Sequence, residues 1–251
     1  MTTGNVLVTG ASKGIGAAIA QALGAAGFVV VAHYGADEAG ALDATREIPA
    51  ERKRVVQADL ADPAAPGRLW HEAIAACGHI DVLVNNAAVM PSTRLDAADA
   101  EWQTGWDEAL QVNLRAPADL IRAAVPHFVE RGGGVLVSIS SWVAQRGPRD
   151  PSLIAYSASK SGLKTITQAV ARHHAREGLL AYVIAPGVVG TSMSRISAER
   201  TGGVEKVFSE LAMGEWVPPS EIGDLVVFLA ERRARHLTGA TFDVNGATYV
   251  R

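Results

Sequence analysis

The residues best suited to chemistry stand one helical turn apart. Tyr156 and Lys160 of YSASK are four positions apart, so on a helix a phenol and an ammonium share a face and approach the same small volume. A free phenol, with a pKa of about 10, is a poor base near neutrality. A neighbouring cation favours the phenolate, so Lys160 is expected to lower the Tyr156 pKa, each unit being worth ~1.4 kcal/mol. Such a phenol could give a proton to a carbonyl oxygen or take one from an alcohol. The alternative is a solvated pair on an ordinary helix, and the rest of the chain has to decide.

A second constellation lies near the start. TGASKGIG, Thr9 to Gly16, follows the β-branched run NVLVT and opens a stretch of small and apolar residues at helical spacing. In that context Gly10 permits a tight turn off the strand. Gly14 lets the backbone approach a pyrophosphate, and Gly16 lets helix and sheet pack closely. Ser12, Lys13 and Ile15 fill the loop between them. Amides at the helix N-terminus favour an anion. A purely structural strand-to-helix turn is the competing reading.

The elements that must position these groups alternate. Short apolar strands are predicted at NVLVT, FVVVAHY, RVVQAD, DVLVN, GVLVSIS, LLAYVIA and ATFDVNG. Between them lie helical patterns: DEAGALDATREI stopping at Pro49, a helix up to Cys77, a long one from about Trp102 to Arg131, one from Ile154 to Glu177, and a last one from about Ser220 to Glu231. Parallel neighbours need crossover connections, so the pattern predicts a Rossmann-type doubly wound α/β fold: about seven parallel strands with helices on both faces. No linker divides residues 1–251, which are read as a single domain. Residues 186–220 are too long for a plain connection and are expected to form a lid, a disordered excursion being the alternative.

Composition narrows the class. The 251 residues are 48% hydrophobic but only 6% aromatic, so aliphatic side chains must supply the core. A formal net charge of −3 argues against broad nucleic-acid binding. Cys77 is the only cysteine, which leaves no intramolecular disulfide, and it reads as a packing residue. No ligand cluster suggests a metal. His173 and His174 point to different helical faces and read as solvated. The N-terminus shows no cationic leader, and no apolar run reaches about 20 residues. A soluble cytoplasmic protein is expected.

The loop spacing G-x-x-x-G-x-G, NNAA at Asn85 to Ala88, Ser141, YSASK and PGVVGT after the sixth strand occur together and in order. This set resembles the short-chain dehydrogenase/reductase family over essentially the whole chain, in style closest to 3-oxoacyl thioester reductases. The resemblance implies a catalytic tetrad. Ser141, selected from Ser138, Ser140 and Ser141 by the residues that follow it, would orient the substrate oxygen. Tyr156 would exchange the proton, and Lys160 would hold the nicotinamide ribose. Asn113 of QVNLRAP would hold a water behind the lysine. Ala88 departs from the glycine usual in NNAG and adds a methyl near the cofactor path. RGPRDPSL lengthens the interval between Ser141 and Tyr156, and is expected to shape the substrate entrance.

The same resemblance assigns the cofactor site. Tyr34 stands where NAD-preferring relatives carry an acid, and Lys13 matches the basic residue aimed at a 2′-phosphate. NADP(H) is therefore the expected cofactor, with NAD(H) kept open by Asp37. Asp59 would meet the adenine, or else cap a helix, and Leu60 would pack beside it. Asn86 and Ala87 would line the ribose side. Pro186 and Gly187 would turn the chain, and Val189 and Thr191 would fix the carboxamide. Trp142, Val143, Leu153 and Met193 read either as a substrate pocket or as core. Arg146 and Arg149 read either as attractors of an acidic carrier or as solvated charges. The activity implied is interconversion of a ketone and a secondary alcohol by a homotetramer. The alternatives are a non-enzymatic nucleotide sensor on the same fold and an NAD-preferring sugar or polyol dehydrogenase.

Overall fold

The computed structural model describes residues 4–251; Met1 to Thr3, part of the leader-free start expected above, lie outside the described residues. Seven strands form one parallel sheet in the order β3-β2-β1-β4-β5-β6-β7. They are β1 (Asn5–Val8), β2 (Val29–Tyr34), β3 (Lys53–Gln57), β4 (Val82–Asn85), β5 (Gly134–Ile139), β6 (Leu179–Pro186) and β7 (Thr241–Val244). In register, Leu7 lies beside Val31 on one side and Leu83 on the other.

The strands are apolar runs because both faces are covered. Val6 and Val8 face a core built with Ile19 and Leu23 of α1 (Gly14–Ala25) and Ile222 and Val226 of α10 (Pro219–Ala230). Leu7 faces the other way, toward a core that includes Leu69 of α3 (Ala65–Cys77), Leu120 of α5 (Ala116–Glu130) and Leu163 of α7 (Ile154–His174). Cys77 ends α3 with its thiol donating to the Ala73 carbonyl, and burial raises its pKa, so it is a packing residue. The strand order reverses between β1 and β4, which leaves a crevice outside their carboxyl ends.

Three predicted elements differ in detail. Helix α2 (Glu38–Ala44) ends well before Pro49, because the Thr45 hydroxyl bonds back to the Ala41 carbonyl and the chain turns away. The predicted helix from Trp102 to Arg131 is α4 (Asp99–Leu110), a π segment (Gln111–Arg115) and α5. Pro117 has no N–H to give the Asn113 carbonyl, and its ring crowds that turn, which accounts for the wider coil. The third is the segment 186–220. It is ordered, with α8 (Ser192–Thr201) and α9 (Val204–Glu210) separated by Gly202 and Gly203. Backbone bonds between Gly190 and Val217 and between Val217 and Val188 close its base. No helix among the described residues is long and apolar enough to cross a membrane.

Candidate active site

A cleft of about 480 Å³ lies at the strand ends beside the crevice, lined by the glycine loop, the turn after β2, the start of the segment after β4, and residues of β5, α7 and α8. Gly10 adopts φ +67°, and a Cβ there would lie 2.9 Å from the Ala87 Cα. A Cβ on Gly16 would collide with the Gly10 carbonyl and stand 2.5 Å from Asn86 Nδ2. The loop is held in place from β4. Asn86 Nδ2 donates to the Thr9 and Gly10 carbonyls at 2.8 and 3.1 Å, and Thr9 Oγ1 accepts from the amides of Asn86 and Ala87. Ala88 also lines the cleft. Helix α1 starts at Gly14, and its N-cap Lys13 makes no side-chain capping bond. The first-turn amides of Gly14, Ile15 and Gly16 therefore lack intrahelical partners and favour an anion. Lys13 is exposed, and Lys13 and Ser12 line the same cleft.

His33 is a site residue that the sequence reading missed. It is 2% exposed, its Nδ1 accepts from the Gly10 amide at 3.1 Å, and its Nε2 faces the Ala58 carbonyl at 2.9 Å. These two partners place the proton on Nε2 and keep the ring neutral, and burial pulls its pKa down. The available signal was a polar residue at the end of the apolar run FVVVA. Tyr34 is the corresponding correction. Strand alternation turns it off the cleft, which is lined instead by His33, Gly35, Ala36 and Asp37. The Tyr34 pKa is raised, chiefly by desolvation and then by Glu38. Asp37 caps α2 by accepting from the Gly40 amide, and its carbonyl accepts from Ser12 Oγ. Asp59 lies beyond β3 and accepts from the Ala61 amide, a turn-capping contact, while it and the buried Leu60 also line the cleft.

Of the tetrad candidates, Ser141, Tyr156 and Lys160 line the cleft together, and Asn113 does not line it. The three serines of β5 and its extension separate by their partners. Ser138 Oγ accepts from Thr167, Ser140 Oγ donates to the Lys160 carbonyl, and Ser141 hydrogen-bonds the Tyr156 phenol. Lys160 is 2% exposed, donates from Nζ to the Ile139 carbonyl at 2.8 Å, and lies 5.9 Å from the centroid of the Tyr156 ring. The expected lowering of the Tyr156 pKa is absent: burial pushes it up to about 12, and only the Ser141 bond opposes this. Lys160 is itself pulled down to about 8 by burial, so the cation is weakened by the same environment. Asn113 is fully buried within the π segment. Its side chain clamps Val89, accepting from the amide at 2.8 Å and donating to the carbonyl at 2.9 Å, and it also donates to Ser159. Both its amide protons are thus engaged away from Lys160.

Past this point the cleft opens into a second cavity of about 580 Å³, lined by Trp142, Val143, Leu153 and Met193 among others. The two cavities share Ser141, Tyr156, Gly187, Met193 and Ser194. Pro186 ends β6, and its carbonyl accepts from the Trp142 amide. Val189 is buried, and Thr191 caps α8 through its hydroxyl; both line the first cavity. His174 sits on the surface against Glu177.

The model of a family described as enoyl-(acyl carrier protein) reductase matches residues 10–247. The 3-oxoacyl-[acyl-carrier-protein] reductase FabG of Staphylococcus aureus is 30% identical over 250 residues, 99% of either chain. A short-chain dehydrogenase from Burkholderia cenocepacia, solved with NADP, superposes with a TM-score of 0.86 at 32% identity, covering 97% of this chain and 96% of that one. A 3-ketoacyl-(acyl-carrier-protein) reductase from Brucella melitensis, solved with NADH, gives a TM-score of 0.86 at 26% identity over 99% of both chains. With this sheet order, glycine loop and YSASK helix, the chain belongs to the short-chain dehydrogenase/reductase family of oxidoreductases.

Proposed function

We propose that the protein is an NADP(H)-dependent oxidoreductase that interconverts a ketone and a secondary alcohol, 3-oxoacyl thioesters being the first class to test. The observation that carries this reading is the junction of the two cavities at Ser141 and Tyr156. A group bound in one can meet a molecule bound in the other beside these two side chains. The first cavity fits a dinucleotide: the loop tolerates no side chain at Gly10 or Gly16, and the α1 amides await an anion. A nicotinamide bound there supplies hydride. Ser141 would donate to the substrate oxygen and orient it toward the phenol. Tyr156, protonated across the neutral range, would give its proton to that oxygen in reduction. Lys160, buried behind it with a pKa of about 8, would hold ribose hydroxyls and pass a proton onward. A relaying water near Asn113 would be left its main-chain carbonyl, which Pro117 deprives of the usual helical donor. The segment 186–220 would act as the lid over both cavities.

Lys13 at the α1 N-cap supports NADP(H), since a cation there attracts a 2′-phosphate. Asp37 in the same wall favours the alternative NAD(H), because a carboxylate repels that phosphate. Titrating both reduced cofactors into wild type and Lys13→Ala tests the choice. NADPH should bind the variant roughly 5–10-fold more weakly, as expected for an exposed charge contact of about 1 kcal/mol, with NADH little changed. Equal NADPH affinity in both proteins would refute the role of Lys13. A homotetramer is the assembly inferred from the family, with α4, α5 and α7 as the pairing helices. Sedimentation should give a mass near four chains, and a monomer would contradict it.

A further inference from the structure

We propose that the second cavity selects ketones that also carry a carboxylate, and that Arg146 is the residue that binds it. The inference rests on the redox reading above, because it names the substrate class of the same site. Three cations and two carboxylates line this cavity: Arg146, Arg149, Lys206, Asp150 and Glu210. Four of the five are already engaged. Arg149 Nη1 pairs with Glu210 Oε2 at 3.4 Å, Lys206 Nζ donates to the Thr201 carbonyl at 2.9 Å, and Asp150 Oδ1 accepts from the Ser152 amide at 2.8 Å. The Arg146 side chain alone has no hydrogen bond or ion pair among the described residues. Asp243 is held instead by Gln145 and Arg251.

The guanidinium is nevertheless placed. Its Cζ stands 4.9 Å from the centroid of the Trp142 ring and 5.7 Å from that of Tyr249, and the residue is half-buried. Two aromatic faces thus limit the rotamers of a planar donor fork, so less entropy is lost when an acceptor arrives. A carboxylate matches that fork with two parallel hydrogen bonds. Arg146 ends the short helix α6 (Val143–Arg146), five residues after Ser141. The fork and Ser141, the residue that would hold the reacting oxygen, thus stand in the walls of one cavity. Val143, Leu153 and Val207 line the same cavity and suit a short aliphatic spacer. The substrate class is therefore an oxo acid whose carbonyl and carboxylate are separated by a few methylenes.

The test compares NADPH-dependent reduction of 5-oxohexanoate and 7-oxooctanoate with that of their methyl esters, in wild type, Arg146→Met and Arg146→Lys. In wild type kcat/KM should favour at least one acid over its ester by roughly 10-fold or more. Arg146→Met should cut that acid-to-ester ratio by at least about 10-fold, the loss of one charge-assisted contact, and Arg146→Lys should restore part of it. A wild-type ratio at or below one, or the same ratio in wild type and Arg146→Met, overturns the inference. If neither acids nor esters turn over, reduction of a 3-oxoacyl thioester decides the redox reading separately, and binding decides this one. Calorimetry on the NADPH-loaded protein should then show hexanoate binding more tightly than hexanamide in wild type only, and no preference overturns it. If Arg146→Met does not fold by circular dichroism, the wild-type ratio is followed with added salt. A falling ratio supports a charge contact, and a flat one contradicts it.

Discussion

At the residue scale the pair Tyr156 and Lys160 behaves differently from two surface groups four positions apart. Both are desolvated. Lys160 has a folded pKa of about 8 against 10.5 for the free side chain. Between those values the unfolded chain binds more protons than the folded one, so stability rises with pH through that window. From about pH 8 to about pH 9.5 the gain should be on the order of 2 kcal/mol. Above about pH 10 the raised Tyr156 phenol acts in the opposite sense, because the unfolded phenol ionises first. Urea unfolding at the two pH values should show the rise in wild type and lose it in Lys160→Met. An equal rise in both would place its origin elsewhere. The spacing of YSASK was legible in the sequence, but the direction of the phenol's shift was not. That direction is set by burial of the phenol, which outweighs the opposing bond from Ser141 on another element. Tyr34 and His33 show the same gap: they are adjacent in sequence, and only the placement of β2 in the sheet decides which of them meets the cleft.

At the element scale the π segment links a helix to the site. Asn113 is positioned by that segment and uses three hydrogen bonds to hold Val89, a cleft residue, and Ser159 on α7. Asn113→Ala would leave the Val89 amide and carbonyl without these partners. The expected cost is about 1–3 kcal/mol, since a half-buried residue regains some water, with weaker NADPH binding because Val89 moves. Chemical denaturation and a cofactor titration check both effects, and a variant matching wild type in each would contradict the clamp. Helical periodicity made the stretch from Trp102 to Arg131 legible, but not its interruption. Pro117 was the sign, and it reads equally well as a residue near a helix start. The segment 186–220 was legible only as an excess of length. The signals for its two helices were Thr191 as an N-cap and Gly202 in the left-handed C-cap position.

At the scale of the whole molecule, function depends on where the sheet reverses. The alternation of strands and helices made a parallel doubly wound sheet legible, because parallel strands need crossovers. The order of strands is a property of the packed sheet, and it sets the crevice between β1 and β4. The glycine loop after β1, the Asn86 clamp after β4, Ser141 after β5 and Gly187 after β6 all reach the cleft because each follows the same end of its strand. The second cavity was only partly legible, since Trp142, Val143, Leu153 and Met193 are ordinary core types until β5, α7 and α8 bring them together. Tyr156 is the titratable residue shared by both cavities. The most direct measurement is therefore NADPH oxidation by a ketone or 3-oxoacyl thioester, alongside NADPH affinity, in wild type and Tyr156→Phe. The account predicts turnover reduced by at least roughly 10²-fold with affinity nearly intact. Turnover within a few-fold of wild type would contradict it.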